Sequence, residues 1–343
     1  MSEQKRDNPS SKDLYDALLG DYPDHEASTR PVHAVGIGAQ GYFVPSDVAP
    51  SISAAEQFRA ARTPTTVRFS NGSGSPVEDD DALDVRGLAV KFHLSHGDAD
   101  LIMITLPVFF AATPKDFVGF ADAGVPKPVK TEPWWRRVID QLELRAPSPP
   151  PDPNHPDSGA AGVLRYANRH ASARPGTVAA LMLVTPTRYA RATYHALHTF
   201  KLTASDGAVR FARFSWEPVS GVRPDDAKHP APNYLQTELR ERLARGPVTF
   251  VLRMVIAGQG DALDDPTQLW DTTRQRVVMG EMVLTKLVED QREDCERLSF
   301  NPTRVVAGFE CSNDPILAAR GGAYEYSCQL RGGSGCPIVG GWS

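Results

Sequence analysis

Six short runs rich in β-branched and aromatic residues recur along the chain, and they limit its fold more than any other feature. Turn residues separate them, a pattern typical of antiparallel strands. The runs are TTVRFS (65–70), RGLAVKFHL (86–94), ADLIMITL (99–106), AVRFARFSW (208–216), VTFVLRMVIA (248–257) and VVMGEMVLTKL (277–287). HAVGIGAQGYFVP (33–45) and HTFKL (198–202) add two strand-like runs. We therefore expect an α+β protein with a mostly antiparallel sheet or barrel and helical insertions.

Helix signals lie between these runs. Ser53 and Glu56 have the spacing of a capping box, which predicts a helix ahead of Phe58. Helices are also expected near residues 13–19, over 114–140 and around 185–195. The chain is expected to divide into an N-terminal arm (1–29), one main domain (30–335) and a short tail (336–343).

The overall charge and hydropathy exclude several classes of protein. The 343 residues carry a formal net charge of −5, without the basic stripe of a nucleic-acid-binding protein. No apolar run approaches the roughly 18 residues that a membrane span needs. The N-terminus lacks the apolar core of a secretory signal. We therefore expect no nucleic-acid or membrane partner and a cytoplasmic location.

Four cysteines occur, and all lie late in the chain: Cys295, Cys311, Cys328 and Cys336. No pair has C-x-x-C spacing, which argues against a zinc site. Their even number would suit disulfides, but nothing else indicates an oxidising compartment. Reduced, structural cysteines are the preferred interpretation.

Gly36, Gly38 and Gly41 match the G-x-G-x-x-G pattern of dinucleotide-binding loops. That function requires a helix to begin after the glycines, so that its N-terminus meets the pyrophosphate. Here the pattern continues into Tyr42-Phe43-Val44-Pro45, which is strand-like. We therefore interpret it as part of a strand.

The segment SNDPILAARGGAYEY predicts a helix with Asp314 as N-cap and Pro315 in its first turn. Arg320 and Tyr324 would then lie on one face, where the positive charge favours a phenolate, an axial ligand of some ferric haems. Gly321 and Gly322 each cost roughly 1 kcal/mol relative to alanine, which suggests that something bulky approaches this helix. An ordinary surface helix with a half-buried tyrosine is the alternative, and His33 alone would be read as a structural histidine.

Taken together, these segments resemble the haem catalase family. The resemblance rests on RPVHAVGIGAQGYF, TPTTVRFSNGSG, DVRGLAVKFHL, DLIMITLPVFFAATPKDF, HTFKL, LSFNP and DPILAARGGAY, which occur in the family's order over roughly residues 28–335. It implies an antiparallel eight-stranded β-barrel with helical insertions and a haem b (heme) cofactor. The size resembles that of small catalase-related peroxidases, with the core barrel and no C-terminal domain.

The resemblance also implies roles for individual residues. His33 would be the distal acid–base catalyst, oriented by Ser70, and Tyr324 the axial ligand of the haem iron. Arg320 would pair with the phenolate oxygen, with His198 and Asp314 behind it. The residues expected to neutralise the haem propionates are Arg30, Arg68 and Arg331. Those expected to line the haem or its channel are Val32, Phe109, Phe117 and Phe300.

One departure from the family pattern bears on activity. Large catalases place an asparagine in the distal pocket, and Ile104 takes that position here, with Thr105 expected to face away. We therefore expect a haem peroxidase that reduces hydrogen peroxide or organic hydroperoxides with a small-molecule reductant, and only weak catalase activity. The alternatives are a fatty-acid hydroperoxide isomerase or dehydratase and a non-catalytic haem-binding protein. Self-association into a homo-oligomer is left open.

Overall fold

The computed structural model describes residues 9–19, 26, 28–82, 84–124, 159–183, 186, 188–223 and 231–333. Its centre is an antiparallel sheet of ten strands. The strands are β1 (Gly36–Pro45), β2 (Thr63–Asn71), β3 (Arg86–Leu94), β4 (Gly97–Ile104), β5 (Tyr194–His195), β6 (Phe200–Thr203), β7 (Val209–Pro218), β8 (Val248–Ile256), β9 (Arg276–Leu287) and β10 (Phe309–Cys311). Every run that the sequence analysis identified as a strand contributes to it.

The sheet closes on itself as an eight-stranded barrel. Neighbouring strands follow the order β5-β4-β3-β2-β1-β9-β8, and β7 completes the ring by pairing with both β8 and β5. The short strands β6 and β10 extend from β7 outside this ring. The expected antiparallel eight-stranded barrel is therefore confirmed. Closure leaves no exposed edge in the ring, which removes the usual site of strand-to-strand aggregation.

Alternation along the strands divides the side chains between two environments. In β2, Val67 and Phe69 are fully buried in the hydrophobic core of the barrel. Arg68 and Ser70, which point the other way, line a cavity outside the barrel. Successive residues of a strand face opposite sides of the sheet, so one strand builds both the core and the cavity wall. This cavity side carries the candidate site.

Six helices of the described residues surround the barrel. They are α1 (Ser11–Leu19), α2 (Pro114–Gly124), α3 (Gly159–Arg169), α4 (Arg174–Leu181), α5 (Tyr234–Arg245) and α6 (Pro315–Leu330). The expected N-terminal helix and the helix after Asp314 are confirmed, and the helix expected over 114–140 is confirmed as far as Gly124. The remainder of that segment and the predicted tail (336–343) lie outside the described residues. No helix in the part of the chain that the structure describes is long and apolar enough to span a membrane.

Two helix predictions are wrong. Ser53 does not cap a helix: its hydroxyl donates to the carbonyl of Gly308 at 2.7 Å, and only a 3₁₀ turn forms at Glu56–Phe58. Of the predicted helix around 185–195, the continuously described part, 188–195, instead forms a 3₁₀ turn and then β5, because Tyr189 and Tyr194 are buried in the barrel core. In both places contacts with distant parts of the chain outweigh local sequence preference.

The cysteines are not all reduced. Cys295 and Cys311 are free thiols, as expected. Cys328 is disulfide-bonded, so the expectation is wrong there, and its partner lies outside the described residues. After α6 the chain turns back over this residue, and the amide of Gly333 donates to the Cys328 carbonyl at 2.9 Å. Gly333 therefore lies close to the sulfur of Cys328, which is 2.6 Å from the position of an added Cβ at Gly333.

Candidate active site

A mainly apolar cavity of about 280 Å³ lies between the outer face of β2–β4 and the helices α1, α2 and α6. The loop before β1 closes one side and carries Arg30, Val32 and His33 into the cavity wall. The row of cross-strand neighbours Ser70, Gly87 and Ile104 forms the adjoining wall. The cavity therefore collects side chains from both ends of the sequence.

His33 is held by its backbone and by one ring nitrogen. It has a φ of +57°, the left-handed region that non-glycine residues rarely adopt. Its Nδ1 lies 2.7 Å from the carbonyl oxygen of Asn71 and 3.0 Å from Oγ of Ser70. Because the carbonyl can only accept, we assign the ring proton to Nδ1, with Ser70 as a second, longer contact. Nε2 then carries no proton, and its lone pair can accept one, as a general base requires.

The surroundings keep His33 uncharged. Burial, and secondarily the positive charge of Arg68, lowers the pKa of His33 to about 3. The neutral imidazole therefore dominates at neutral pH. A proton acceptor in a cavity with apolar walls is characteristic of acid–base catalysis.

A series of hydrogen bonds fixes Tyr324, which also lines the cavity. Arg320 donates to the Tyr324 hydroxyl oxygen at 2.9 Å and to Nε2 of His198 at 2.8 Å. Nδ1 of His198 donates in turn to Asp314 at 2.6 Å. Asp314 caps α6, accepting from the amides of Ile316 and Leu317. The helix start, the histidine and the arginine together hold a guanidinium against the phenolic oxygen.

Burial is the main influence on the charge of His198 in this series of hydrogen bonds. It lowers the pKa of His198, although the hydrogen bond to Asp314 acts in the opposite direction. A neutral His198 accepts from Arg320 and donates to Asp314, which matches the observed geometry. The positive charge next to Tyr324 is therefore that of Arg320.

The glycines of α6 allow other parts of the protein to approach the helix closely. A Cβ atom at Gly321 would lie 2.5 Å from the hydroxyl of Thr303, and one at Gly322 would collide with Ser11 of α1. The expectation that bulky groups approach this helix is therefore confirmed, and those groups are parts of this protein. The two glycines allow α1 and the 299–304 loop to pack closely on α6.

Three arginines form a cationic end of the cavity. Arg30, Arg68 and Arg331 all line it, and Arg68 is only 3% exposed. Burial, and then the neighbouring Arg30 and Arg68, lowers the pKa of Arg331 to about 9. Nε of Arg331 is buried and has no hydrogen-bond partner among the described residues. Such a cluster, with a donor left unused, is suited to an anionic ligand.

The remaining walls are apolar. Val32, Phe109, Phe117 and Phe300 line the cavity, as does Ile104. The hydroxyl of Thr105 accepts instead from the amide of Arg86 at 3.0 Å, and Thr105 is not part of the wall. The position next to Gly87 is therefore occupied by an isoleucine.

The structure brings the predicted site residues together. The cavity is lined by Arg30, Val32, His33, Arg68, Ser70, Phe109, Phe117, Phe300, Arg320, Tyr324 and Arg331. His198 and Asp314 lie behind Arg320. Their roles in binding and catalysis remain predictions.

Other residues contribute to the site and were not predicted from the sequence. Leu14, Tyr15 and Leu18 of α1 line the cavity, although no functional residue was expected in the N-terminal arm. Their apolar spacing on a short helix was the available signal. The side chain of Glu296 binds two of the arginines, and the carbonyl oxygen of Asn71 binds His33. No local signal distinguishes these two residues from other polar residues.

Known proteins resemble this chain over most of its length. The family model described as "Catalase" matches residues 19–148 and 166–336. A protein named catalase-related peroxidase from Mycolicibacterium paratuberculosis is 34% identical over 309 residues, covering 89% of this chain and 89% of that protein. One of the same name from Synechococcus elongatus is 29% identical, covering 88% and 83%.

Solved structures agree in fold. A fungal catalase superposes with a TM-score of 0.73 at 23% identity, covering 90% of this chain and 61% of that one. Catalase A from Saccharomyces cerevisiae gives 0.73 at 22% identity, covering 90% and 63%. The family-model match, the relative that is 34% identical and the shared barrel lead to one conclusion: this chain belongs to the catalase family.

Proposed function

We propose that this protein is a haem-dependent peroxidase, which uses a small-molecule reductant to reduce hydrogen peroxide or organic hydroperoxides. The observation that carries the proposal is the pairing of two groups in one cavity: an uncharged His33 and an arginine-bound Tyr324. The names of the two relatives, catalase-related peroxidase, support the same activity.

The residues present fit haem b. Tyr324 offers a phenolic oxygen as iron ligand, and Arg320 holds that oxygen in place with a hydrogen bond of 2.9 Å. Arg30, Arg68 and the unpartnered Nε of Arg331 suit the two propionates. When bound, haem supplies the iron at which the peroxide O–O bond is broken and the electrons that this requires.

His33 would transfer the proton of the peroxide. Nε2 would take it from the peroxide and return it to the departing oxygen, so that water or an alcohol leaves. Ser70 and Asn71 keep the other ring nitrogen engaged and the imidazole in one orientation. General acid–base assistance of this kind contributes roughly 10²–10⁴-fold in rate.

Ile104 favours peroxidase over catalase turnover. The catalase reaction uses a second peroxide as reductant, and a polar distal side chain would help to hold it. The apolar side chain of Ile104 in the wall offers no hydrogen bond. Apolar walls also favour the alkyl part of an organic hydroperoxide.

The absorption spectrum of the purified protein tests the cofactor, and turnover tests the reaction. We expect a haem spectrum with tyrosinate ligation, and consumption of a dye reductant in proportion to peroxide. Product formed from a fatty-acid hydroperoxide without reductant would instead identify a rearrangement enzyme. A protein that binds haem and turns over neither substrate would contradict the proposal.

A further inference from the structure

Glu296 is the acidic group at the cationic end of the cavity. Its Oε1 accepts from Nε of Arg68 at 2.8 Å, and its Oε2 accepts from Nη2 of the same arginine at 3.1 Å. Oε2 also lies 3.4 Å from Nε of Arg30. Burial raises the pKa of Glu296, but Arg68 and Arg30 together more than offset it, and the pKa is lowered overall. Glu296 is therefore ionised at neutral pH.

The backbone near Glu296 holds the arginines as well. Its carbonyl oxygen accepts from Nη1 of Arg331 at 2.7 Å and from Nη2 of Arg30 at 3.1 Å. Nη2 of Arg30 also reaches the carbonyl of Leu298 at 3.0 Å. One residue thus contacts all three arginines at the cationic end of the cavity.

Glu296 ends a wide turn, Arg292–Glu296, that is fixed to the barrel. The side chain of Gln291 accepts from the amide of Gly38 at 2.6 Å and donates to the Gly38 carbonyl at 2.9 Å. Cys295 packs on Gly38 so closely that a Cβ there would lie 2.6 Å from the cysteine Cβ. The turn is therefore anchored against β1.

These contacts explain the glycine pattern at residues 36–41. A Cβ at Gly36 would lie 2.5 Å from the guanidinium carbon of Arg68. Gly36 thus admits Arg68, and Gly38 admits the turn that carries Glu296. The same G-x-G that resembles a dinucleotide loop makes room for an arginine–glutamate pair.

The charges of this group balance those of a dianion. Three guanidiniums and one carboxylate leave a net charge of +2 at this end of the cavity. Two ionised propionates would neutralise it. A fork-like pair between Arg68 and Glu296 also fixes the plane of the guanidinium, which a single charge would not do.

We propose that Glu296 is a positioning residue, which holds Arg30 and Arg68 in the orientation that receives the two propionates of haem. This inference rests on the proposed haem function. Glu296 acts through the arginines and does not itself touch the cofactor.

The test compares two porphyrins in the intact holoprotein. Iron protoporphyrin IX carries two free propionates, and its dimethyl ester carries none. Each is loaded into the parent, Glu296→Gln and Glu296→Asp, and its transfer to excess apomyoglobin is followed by absorbance. If Glu296 positions the arginines, Glu296→Gln should release protohaem about tenfold faster, equivalent to about 1.4 kcal/mol, with little change for the ester. Glu296→Asp keeps the charge and should recover part of the difference.

The direction of the change in the release rate of protohaem distinguishes a positioning role of Glu296 from a purely electrostatic one. Glu296→Gln raises the local charge from +2 to +3, so a purely electrostatic role would slow the release of protohaem. Slower release would therefore overturn the proposal. So would an equal acceleration for both porphyrins, which would indicate a general loss of structure.

Glu293→Gln provides the matched control. Glu293 lies in the same turn, is exposed and pairs with Arg297 at 2.9 Å. It should release both porphyrins at the parent rate. The propionate bending bands in the resonance Raman spectrum give a second readout, which should shift in Glu296→Asp even if Glu296→Gln does not fold. Unshifted bands would overturn the proposal, and a parent that binds neither porphyrin would overturn the haem function itself.

Discussion

The carbonyl oxygen of Asn71 lies 2.7 Å from Nδ1 of His33. Asn71 is itself immobilised: its side-chain amide donates to Asp80 at 2.6 Å and accepts from the hydroxyl of Tyr189 at 3.0 Å. Both Asn71 and Tyr189 are buried. The tautomer of His33 is therefore set by a backbone group that a buried polar network holds in place.

Replacing His33 with alanine should remove the proton acceptor while leaving the cofactor bound. We expect peroxide consumption at equal haem to fall roughly 10²–10⁴-fold, because general acid–base help is lost. Stopped-flow mixing with a peracid measures the rate. Equal rates in variant and parent would show that another group moves the proton.

Activity that depends on neutral His33 should be insensitive to mild acid. The pKa of about 3 keeps the imidazole unprotonated, so the rate should be flat from about pH 8 to about pH 4 and fall only as pH approaches 3. A pH–rate profile of peroxide consumption tests this. A midpoint near 6.5, the ordinary histidine value, would contradict it.

The same lowering of the His33 pKa makes the stability of the folded protein sensitive to acid. Its folded pKa of about 3 lies below the ordinary 6.5, so between these values the unfolded chain binds more protons. The stabilising contribution of neutral His33 is complete above pH 6.5 and is lost as pH falls towards 3. Denaturant unfolding of the parent and His33→Gln at several pH values should show the parent losing relative stability over that interval. A pH-independent difference would contradict this.

Tyr324→Phe should bind haem weakly or lose it, because the phenolic oxygen held by Arg320 is removed. Haem content and the absorption spectrum after purification measure the change. Tyr326→Phe, in the same helix and packed on Tyr15, is a matched control that should retain the parent spectrum. An unchanged haem complement in Tyr324→Phe would contradict the assignment of the iron ligand.

Ile104→Asn should raise oxygen evolution from hydrogen peroxide relative to dye oxidation. One hydrogen bond is added near the site of proton transfer, so the gain should be at most about a hundredfold. Oxygen-electrode and dye-oxidation rates at equal haem decide it, with Ile102→Asn on the same strand face as control. A parent that already evolves oxygen as fast as large catalases would show that this position is dispensable.

Gly87→Ala should disturb the distal side specifically. The added Cβ would lie 2.5 Å from Oγ of Ser70 and 3.0 Å from the His33 ring. Because the backbone beside the added methyl is held in β3, the imidazole should shift, and peroxide consumption should fall with haem still bound. Gly246→Ala, just after α5, where the backbone is extended and no atom lies within 4 Å of an added Cβ, controls for nonspecific loss of expression.

Whether a structural feature can be predicted from the sequence depends on how far apart in the chain its residues lie. The strands follow from local alternation, and the spacing of Asp314, Arg320 and Tyr324 follows from helix geometry. His33 and the arginines are recognisable only through resemblance to the family. Glu296 lies 228 residues from Arg68, and nothing in its neighbourhood indicates the pairing.

The wrong helix predictions have the same cause. Ser53 uses its hydroxyl on Gly308, 255 residues away, so its capping pattern is not realised. The glycines of α6 reflect packing by Thr303 and Ser11, which local sequence cannot reveal. Only the folded barrel brings these segments together.

Closure of the barrel by β1 and β9 also governs when the site can exist during biosynthesis. Gln40 in β1 contacts Thr285 in β9 across 245 residues of chain, and Arg30 binds the carbonyl of Leu298 across 268. Contacts of such separation form late, because the entropy of closing the intervening loop opposes them. A ribosome must therefore have synthesised the chain beyond Tyr324 before His33 and Tyr324 can share one cavity. The proposed haem would be acquired only after that point, so the supply of haem to such chains would help to determine how much active protein a cell obtains.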